Sequence, residues 1–142
     1  MKPFGRITAF LCTLALLPGC SSRPYEGKQR IPLKGKVTVD GRPMDAGTIS
    51  FVPDNVEANR PSGGVILDGQ YDVPEPMGAN EGSYRVEIHW QKPTGKKSKA
   101  IDSDELIEQR REGLPDKYHK NTELKVEIKK DTTEFNFDLS TQ

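Results

Sequence analysis

Cysteine is nearly missing from this chain. Its 142 residues hold two, Cys12 and Cys20, too few for a disulfide framework or a thiolate-rich metal site. Histidine is as scarce. His89 and His119 are the only pair and stand 30 residues apart, whereas a zinc site needs three or four ligands. Charge of one sign is missing too: 21 basic and 21 acidic residues leave no global basic field, which argues against nucleic acid as a partner. No apolar run is long enough to span a bilayer. The best, Ile7 to Leu17, is broken by Thr8 and Thr13, and its 11 positions reach roughly 17 Å as a helix against a hydrocarbon core of about 30 Å. Nucleotide and nucleophile motifs are also absent. Gly95-Lys96-Lys97-Ser98 ends like a phosphate loop, but Trp90 stands where its first glycine must be, and no serine has nucleophile-elbow spacing.

What is present begins at the N-terminus. Lys2 and Arg6 precede the short apolar run, Pro18-Gly19 breaks it, and Cys20 follows at once, with polar Ser21-Ser22 behind it. Leu17-Pro18-Gly19-Cys20 resembles the lipobox of a bacterial lipoprotein. The resemblance implies a signal peptide over 1–19, a diacylglyceryl group on the Cys20 thiol, cleavage before Cys20 and acylation of the new amine. More than one acyl chain gives stable anchoring, so the membrane is a partner through Cys20. Of the 21 basic residues, Lys2 and Arg6 leave with the signal, so the mature chain carries 19 against 21 acidic. Ser21 resembles the sorting residue of outer-membrane lipoproteins. That implies a lipid-anchored place in the cell envelope, periplasmic or surface-exposed. Residues 20–32 form a polar tether with a reach of at most about 40 Å.

Residues 33–142 read as one domain the size of a small sandwich. Apolar side chains alternate over Leu33 to Val39, Gly47 to Val52, Ser83 to Gln91, Thr122 to Lys129 and Glu134 to Ser140, which predicts strands. Asp40-Gly41 turns the first, and Lys130-Asp131 turns between the last two. Asp68-Gly69 predicts a type I′ hairpin whose two-residue loop sets the register: Leu67 faces Gln70 and Ile66 faces Tyr71. Opposed residues share a face, so Ile66, Tyr71 and Val73 are inward while Val65 and Leu67 are outward.

Lys92 to Pro115 predicts a polar insertion. Within it, residues 102–112 predict a short helix: Asp102 or Ser103 caps it, acids fill its first turn, arginines its last, and Gly113 stops it. Its basic front half, Lys92, Lys96, Lys97 and Lys99, is a candidate surface for an anionic envelope polymer or a partner protein.

Val37-Thr38-Val39-Asp40-Gly41-Arg42-Pro43, Gly47-Thr48-Ile49-Ser50-Phe51-Val52-Pro53, Asp68-Gly69-Gln70-Tyr71 and Gly82-Ser83-Tyr84-Arg85-Val86 follow one another in a recognisable order. Leu114-Pro115-Asp116-Lys117-Tyr118, Thr122-Glu123-Leu124 and Phe135-Asn136-Phe137-Asp138-Leu139 continue it. The series resembles small planctomycete-type lipoproteins with a carboxypeptidase-regulatory-like, transthyretin-like domain. It implies an all-β, seven- to eight-stranded Greek-key β-sandwich. It implies no cofactor and no particular ligand.

The remaining candidates are single residues. Trp90 can stack on a sugar, as in a carbohydrate-binding module, but it is in phase with Tyr84, Val86 and Ile88 and fits a core edge as well. Tyr84 and Tyr118 read as structural, Tyr118 as a tyrosine reaching back to backbone at a sandwich corner. His89 and His119 read as surface histidines; a cryptic metal-dependent enzyme would instead need a cleft joining them to carboxylates. Asp40 and Asp68 are explained by turn chemistry without a metal. The sum is a non-catalytic, membrane-anchored binding or structural module.

Overall fold

The computed structural model describes residues 27–142; Leu17, Pro18, Gly19 and Cys20 lie outside the described residues. The alternating segments become strands. β1, Leu33–Val39, buries Leu33, Val37 and Val39. Asp40 and Gly41 both take positive φ, 49° and 76°, as a type I′ turn requires, and return the chain as β2, Arg42–Pro43, against β1. β3, Ala46–Pro53, buries Ile49 and Phe51.

β4, Ser62–Leu67, and β5, Gln70–Val73, meet at Asp68-Gly69, again with positive φ at both positions, and Leu67 pairs with Gln70. Ile66, Tyr71 and Val73 are buried, while Val65 and Leu67 are 62% and 60% exposed, as the two-residue loop dictates. β6 is Gly82–Lys99, β7 Leu106–Glu112, β8 Lys125–Ile128 and β9 Phe137–Leu139. Two 3-10 turns, Glu75–Met77 and Asp116–Tyr118, are the helical pieces of the described residues.

The fold is all-β and sandwich-like, with nine strands in one hydrogen-bonded network ordered β2-β1-β5-β4-β3-β6-β7; β8 adds to β6 and β9 to β1. β1 makes the corner. Its residues 33–36 pair with β5, and its residues 37–39 pair in parallel with β9. The inward faces bury a single cluster that includes Leu33, Val37, Ile49, Phe51, Tyr84, Val86, Ile88 and Ile128. Each such side chain contributes roughly 1.5–3 kcal/mol on burial.

Four expectations are corrected. The strands number nine, because a two-residue β2 and β7 add to the set. The helix over 102–112 is not formed: Leu106–Glu112 is β7, antiparallel to the far half of β6. A lone helix of that length is marginal in water, and the unpaired backbone of β6 offers Leu106–Glu112 a ladder instead. The insertion 92–115 is thus largely a β-ribbon, with a bulge in β6 between Pro93 and Lys97. Finally, the tether over 20–32 does not run free to residue 32: Ile31 is buried and exchanges both backbone hydrogen bonds with Ala79. The turn at Lys130-Asp131 is formed as expected, closed by Lys129 and Thr132.

Candidate binding site

β6 positions the site. Its residues 84–90 pair with β3, its residues 82–85 with β8 and its residues 91–99 with β7. Val86 N donates to Leu124 O, and Gly113 N donates to Trp90 O. Both bonds lie on the same edge of β6, because residues four apart point the same way. β7 and β8 are therefore one long partner strand, interrupted where residues 114–121 loop out beside His89.

Trp90 sits at that junction. It is half-buried and packs against the core. Its Nε1 donates to Asp45 Oδ1 at 2.6 Å, and Arg110 Nη1 reaches Asp45 Oδ2 at 3.4 Å. Gly113 lies against the indole; a Cβ there would stand 2.5 Å from Cε3. Lys92 Nζ lies 5.1 Å from the ring centroid. The exposed part of Trp90 lines an open cleft of about 520 Å³ with Asp40, Arg42, Asp45, Lys92 and Pro93.

Both carboxylates of the cleft are already satisfied. Asp40 takes the Thr141 N–H at 3.0 Å and the Thr141 hydroxyl at 2.6 Å, and these bonds hold its pKa below the ordinary value. Burial pushes Asp45 up, but the bonds from Trp90 and the Ala46 N–H, with the nearby Arg110 charge, outweigh it and leave Asp45 lowered. Arg42 is exposed at the mouth with no ion pair among the described salt bridges. The cleft thus pairs an aromatic surface with cations whose carboxylate neighbours are spoken for.

Glu112 clamps the junction from the other side. Its Oε1 accepts from Trp90 N at 3.1 Å and from Gly113 N and Leu114 N at 3.0 Å each. Its Oε2 meets His89 Nδ1 at 2.7 Å. Burial raises Glu112, yet the Leu114 N–H, His89 and the Trp90 N–H together bring it below its ordinary pKa. The His89 ring stacks on His119 at 4.9 Å between centroids. His119 is a correction to the surface reading: it is 3% exposed, its Nε2 lies 3.1 Å from Leu114 O, and its Nδ1 is buried without a hydrogen-bond partner. With Nε2–H donating to Leu114 O, Nδ1 is the ring nitrogen left without a partner. Among the described residues, no group of three or more His, Cys, Asp or Glu is arranged to hold a metal ion.

The other sequence candidates lie elsewhere. Lys96 and Lys97 are exposed on the ribbon, and Lys99 pairs with Asp104 at 2.7 Å. None of the three reaches the Trp90 cleft; of the basic run only Lys92 does. Tyr84 is buried and its hydroxyl accepts from Asn80 N at 3.1 Å. The Tyr118 hydroxyl accepts from Ser140 N at 3.1 Å, tying the 3-10 turn to the C-terminal strand. Sequence reasoning missed Asp45, Arg110 and Glu112, which no local motif marks; only the register of β7 on β6 reveals them.

No family model, no curated protein and no solved structure matches this chain. Among the described residues, no helix is long and apolar enough to cross a membrane.

Proposed function

We propose that this chain is a lipid-anchored, non-catalytic binding module of a bacterial cell envelope. In this reading it is held by acyl chains on Cys20 at the outer membrane, with a transthyretin-like Greek-key sandwich as its soluble part. The ligand is an anionic envelope polymer, a glycan before a protein. The observation that carries the reading is the cleft at Trp90: its carboxylates are satisfied internally, and Arg42 and Lys92 flank an aromatic ring. An acidic sugar offers both a face for the indole and a charge for those cations.

The test uses the fluorescence of Trp90, which is the only tryptophan and so reports on the cleft alone. Polygalacturonate is expected to shift its emission, neutral dextran to leave it unchanged, and Arg42→Glu to weaken the response about tenfold, the equivalent of one charge-assisted bond. Equal responses to both polymers, or none to either, would end this reading. Anchoring is tested separately. Palmitate should label the wild type and not Cys20→Ala.

One observation favours a second reading, that of an acid–base enzyme. Glu112 orients His89 as a carboxylate orients a general base, and His89 is about two-fifths exposed. It predicts ester or glycoside turnover that vanishes in His89→Ala.

A further inference from the structure

Past Trp90, β6 and β7 leave the body as a two-stranded ribbon. From Gln91 to Lys99 it spans the same length as β7 from Glu112 to Leu106, roughly 20 Å at the usual rise per residue. Every residue of β7 is exposed, Leu106 by 59% and Ile107 by 48%, and Ile101 at the tip is fully so. A lone two-stranded hairpin is marginal in water, so a partner on this ribbon would contribute where the body does not.

The free edge of β7 is regular. The bulge puts its extra residues, 94–96, in β6 opposite Gln109. Gly113 N donates to Trp90 O at one end, and Ala100 N donates to Glu105 O at the other. Counting inward from both, Leu106, Glu108, Arg110 and Glu112 are the residues whose N–H and C=O point away from β6, toward the open side.

The strand runs Leu106-Ile107-Glu108-Gln109-Arg110-Arg111-Glu112. Reversed on itself about Gln109, Glu108 meets Arg110 on both sides of the centre, and Leu106 meets Glu112. These are the outward-bonding residues, so the register that matches charges is also the one that closes hydrogen bonds. A shift of two in either direction sets Glu108 against Glu108 or Arg110 against Arg110. An edge protected by charge repels a second copy best when its guards share one sign. This edge carries both signs in mirror order.

We infer that β7 pairs antiparallel with β7 of a second copy, an isologous two-fold contact with Gln109 on the axis. In the single copy Arg110 Nη1 reaches back across β6 to Gln91 O and Asp45, so in the pair its guanidinium turns to the free edge to meet the second copy's Glu108. The pairing is independent of what the Trp90 cleft binds.

The experiment uses the full chain in its own membranes. In this register the two Gln109 residues form a non-hydrogen-bonded pair with Cα atoms about 4.5 Å apart, within disulfide range. After mild oxidation Gln109→Cys should run mainly as a disulfide-linked pair. Lys97→Cys, on the other strand of the ribbon, should stay at the background set by the unmutated chain with Cys12 and Cys20. Glu108→Arg or Arg110→Glu, each added to Gln109→Cys, sets like charges opposite each other twice and should cut crosslinking about tenfold. The double exchange Glu108→Arg/Arg110→Glu restores the match and should restore the crosslink. Equal crosslinking at positions 109 and 97, or a double exchange no better than the single ones, would overturn the pairing.

Discussion

β6 is one strand with two unlike halves. From Gly82 to Trp90 it is flanked by β3 on one edge and by β8 and its lead-in on the other, and it buries Tyr84, Val86 and Ile88. From Gln91 to Lys99 it has only β7 beside it, and nothing on either strand is buried. Both halves are strand, the far one interrupted by the bulge at residues 94–96; the apolar content is confined to the near one. Hydrogen bonding alone is thus enough to continue a strand, while burial decides which part of it holds the domain together. The boundary is a single carboxylate. Glu112 bonds the backbone of Trp90, Gly113 and Leu114 at the point where core gives way to ribbon.

The largest effect should separate the halves directly. Ile88→Ala empties a fully buried site and should cost about 2–5 kcal/mol, whereas Ile107→Ala on the ribbon should stay within about 0.5 kcal/mol. Urea denaturation of dilute protein would measure both. Similar losses would mean that the ribbon carries stability of its own.

Removing the ribbon sharpens the boundary. Replacing residues 94–109 with a short Gly-Ser turn should move the melting midpoint by no more than about 4 °C, because loop length changes closure entropy only slowly. Extending the deletion to 93–113 also removes Glu112 and Gly113, and should lower the midpoint by about 8 °C or more. If both variants melt alike, the clamp at Glu112 is not the hinge between the halves.

Glu112→Ala isolates that clamp. It strips the Trp90 and Leu114 N–H groups of their acceptor and should cost about 1–3 kcal/mol, toward the low end because the carboxylate is partly open to water that can replace it. Calorimetry would report it, with a loss near zero as the refuting outcome.

The smallest effect is in pH. The folded-state pKa of Glu112 is lowered from 4.5, so its stabilisation is complete above that value and is lost as pH falls through the folded one. The gap in melting temperature between wild type and Glu112→Gln should therefore be full at neutral pH and shrink on acidification below 4.5. A gap that widens in acid would contradict the assigned sign.

Much of the body was legible because its signals are local. Period-two alternation gives the buried sets of β1, β3 and the near half of β6, and Asp68-Gly69 gives the facing of Ile66 and Leu67 through loop length alone. The ribbon was illegible for the opposite reason. Leu106 to Glu112 is composed of good helix formers, and its strand state depends on Lys97, Ser98 and Lys99, which lie across the turn as cross-strand partners. The like-charged pairs Asp104/Glu108 and Glu108/Glu112, which would repel on a helix, were the one local hint. The histidine stack shows the same limit. His89 and His119 meet only because residues 114–121 leave the ladder and return, and neither local spacing nor period records such an excursion.

The corner strand β1 has a mechanical consequence. Chain arriving from the N-terminal side is first held at Lys28 and Gln29, whose carbonyls accept from Asn80 Nδ2, then bridges Ala79 at Ile31 and runs straight into β1. β1 is held on one edge by β5. On the other, Lys34 N donates to Thr133 O, Phe135 N donates to Lys34 O, and β9 follows in parallel. A pull through residues 27–30 therefore acts along the strand axis and loads both ladders in shear, many bonds at once, instead of peeling them one by one. A load applied between the N-terminus and the ribbon tip would act first on the two-stranded ribbon. Single-molecule stretching from these two attachment points should give a high rupture force for the first and a low one for the second; a domain leashed at its N-terminus would then bear tension through its strongest strand.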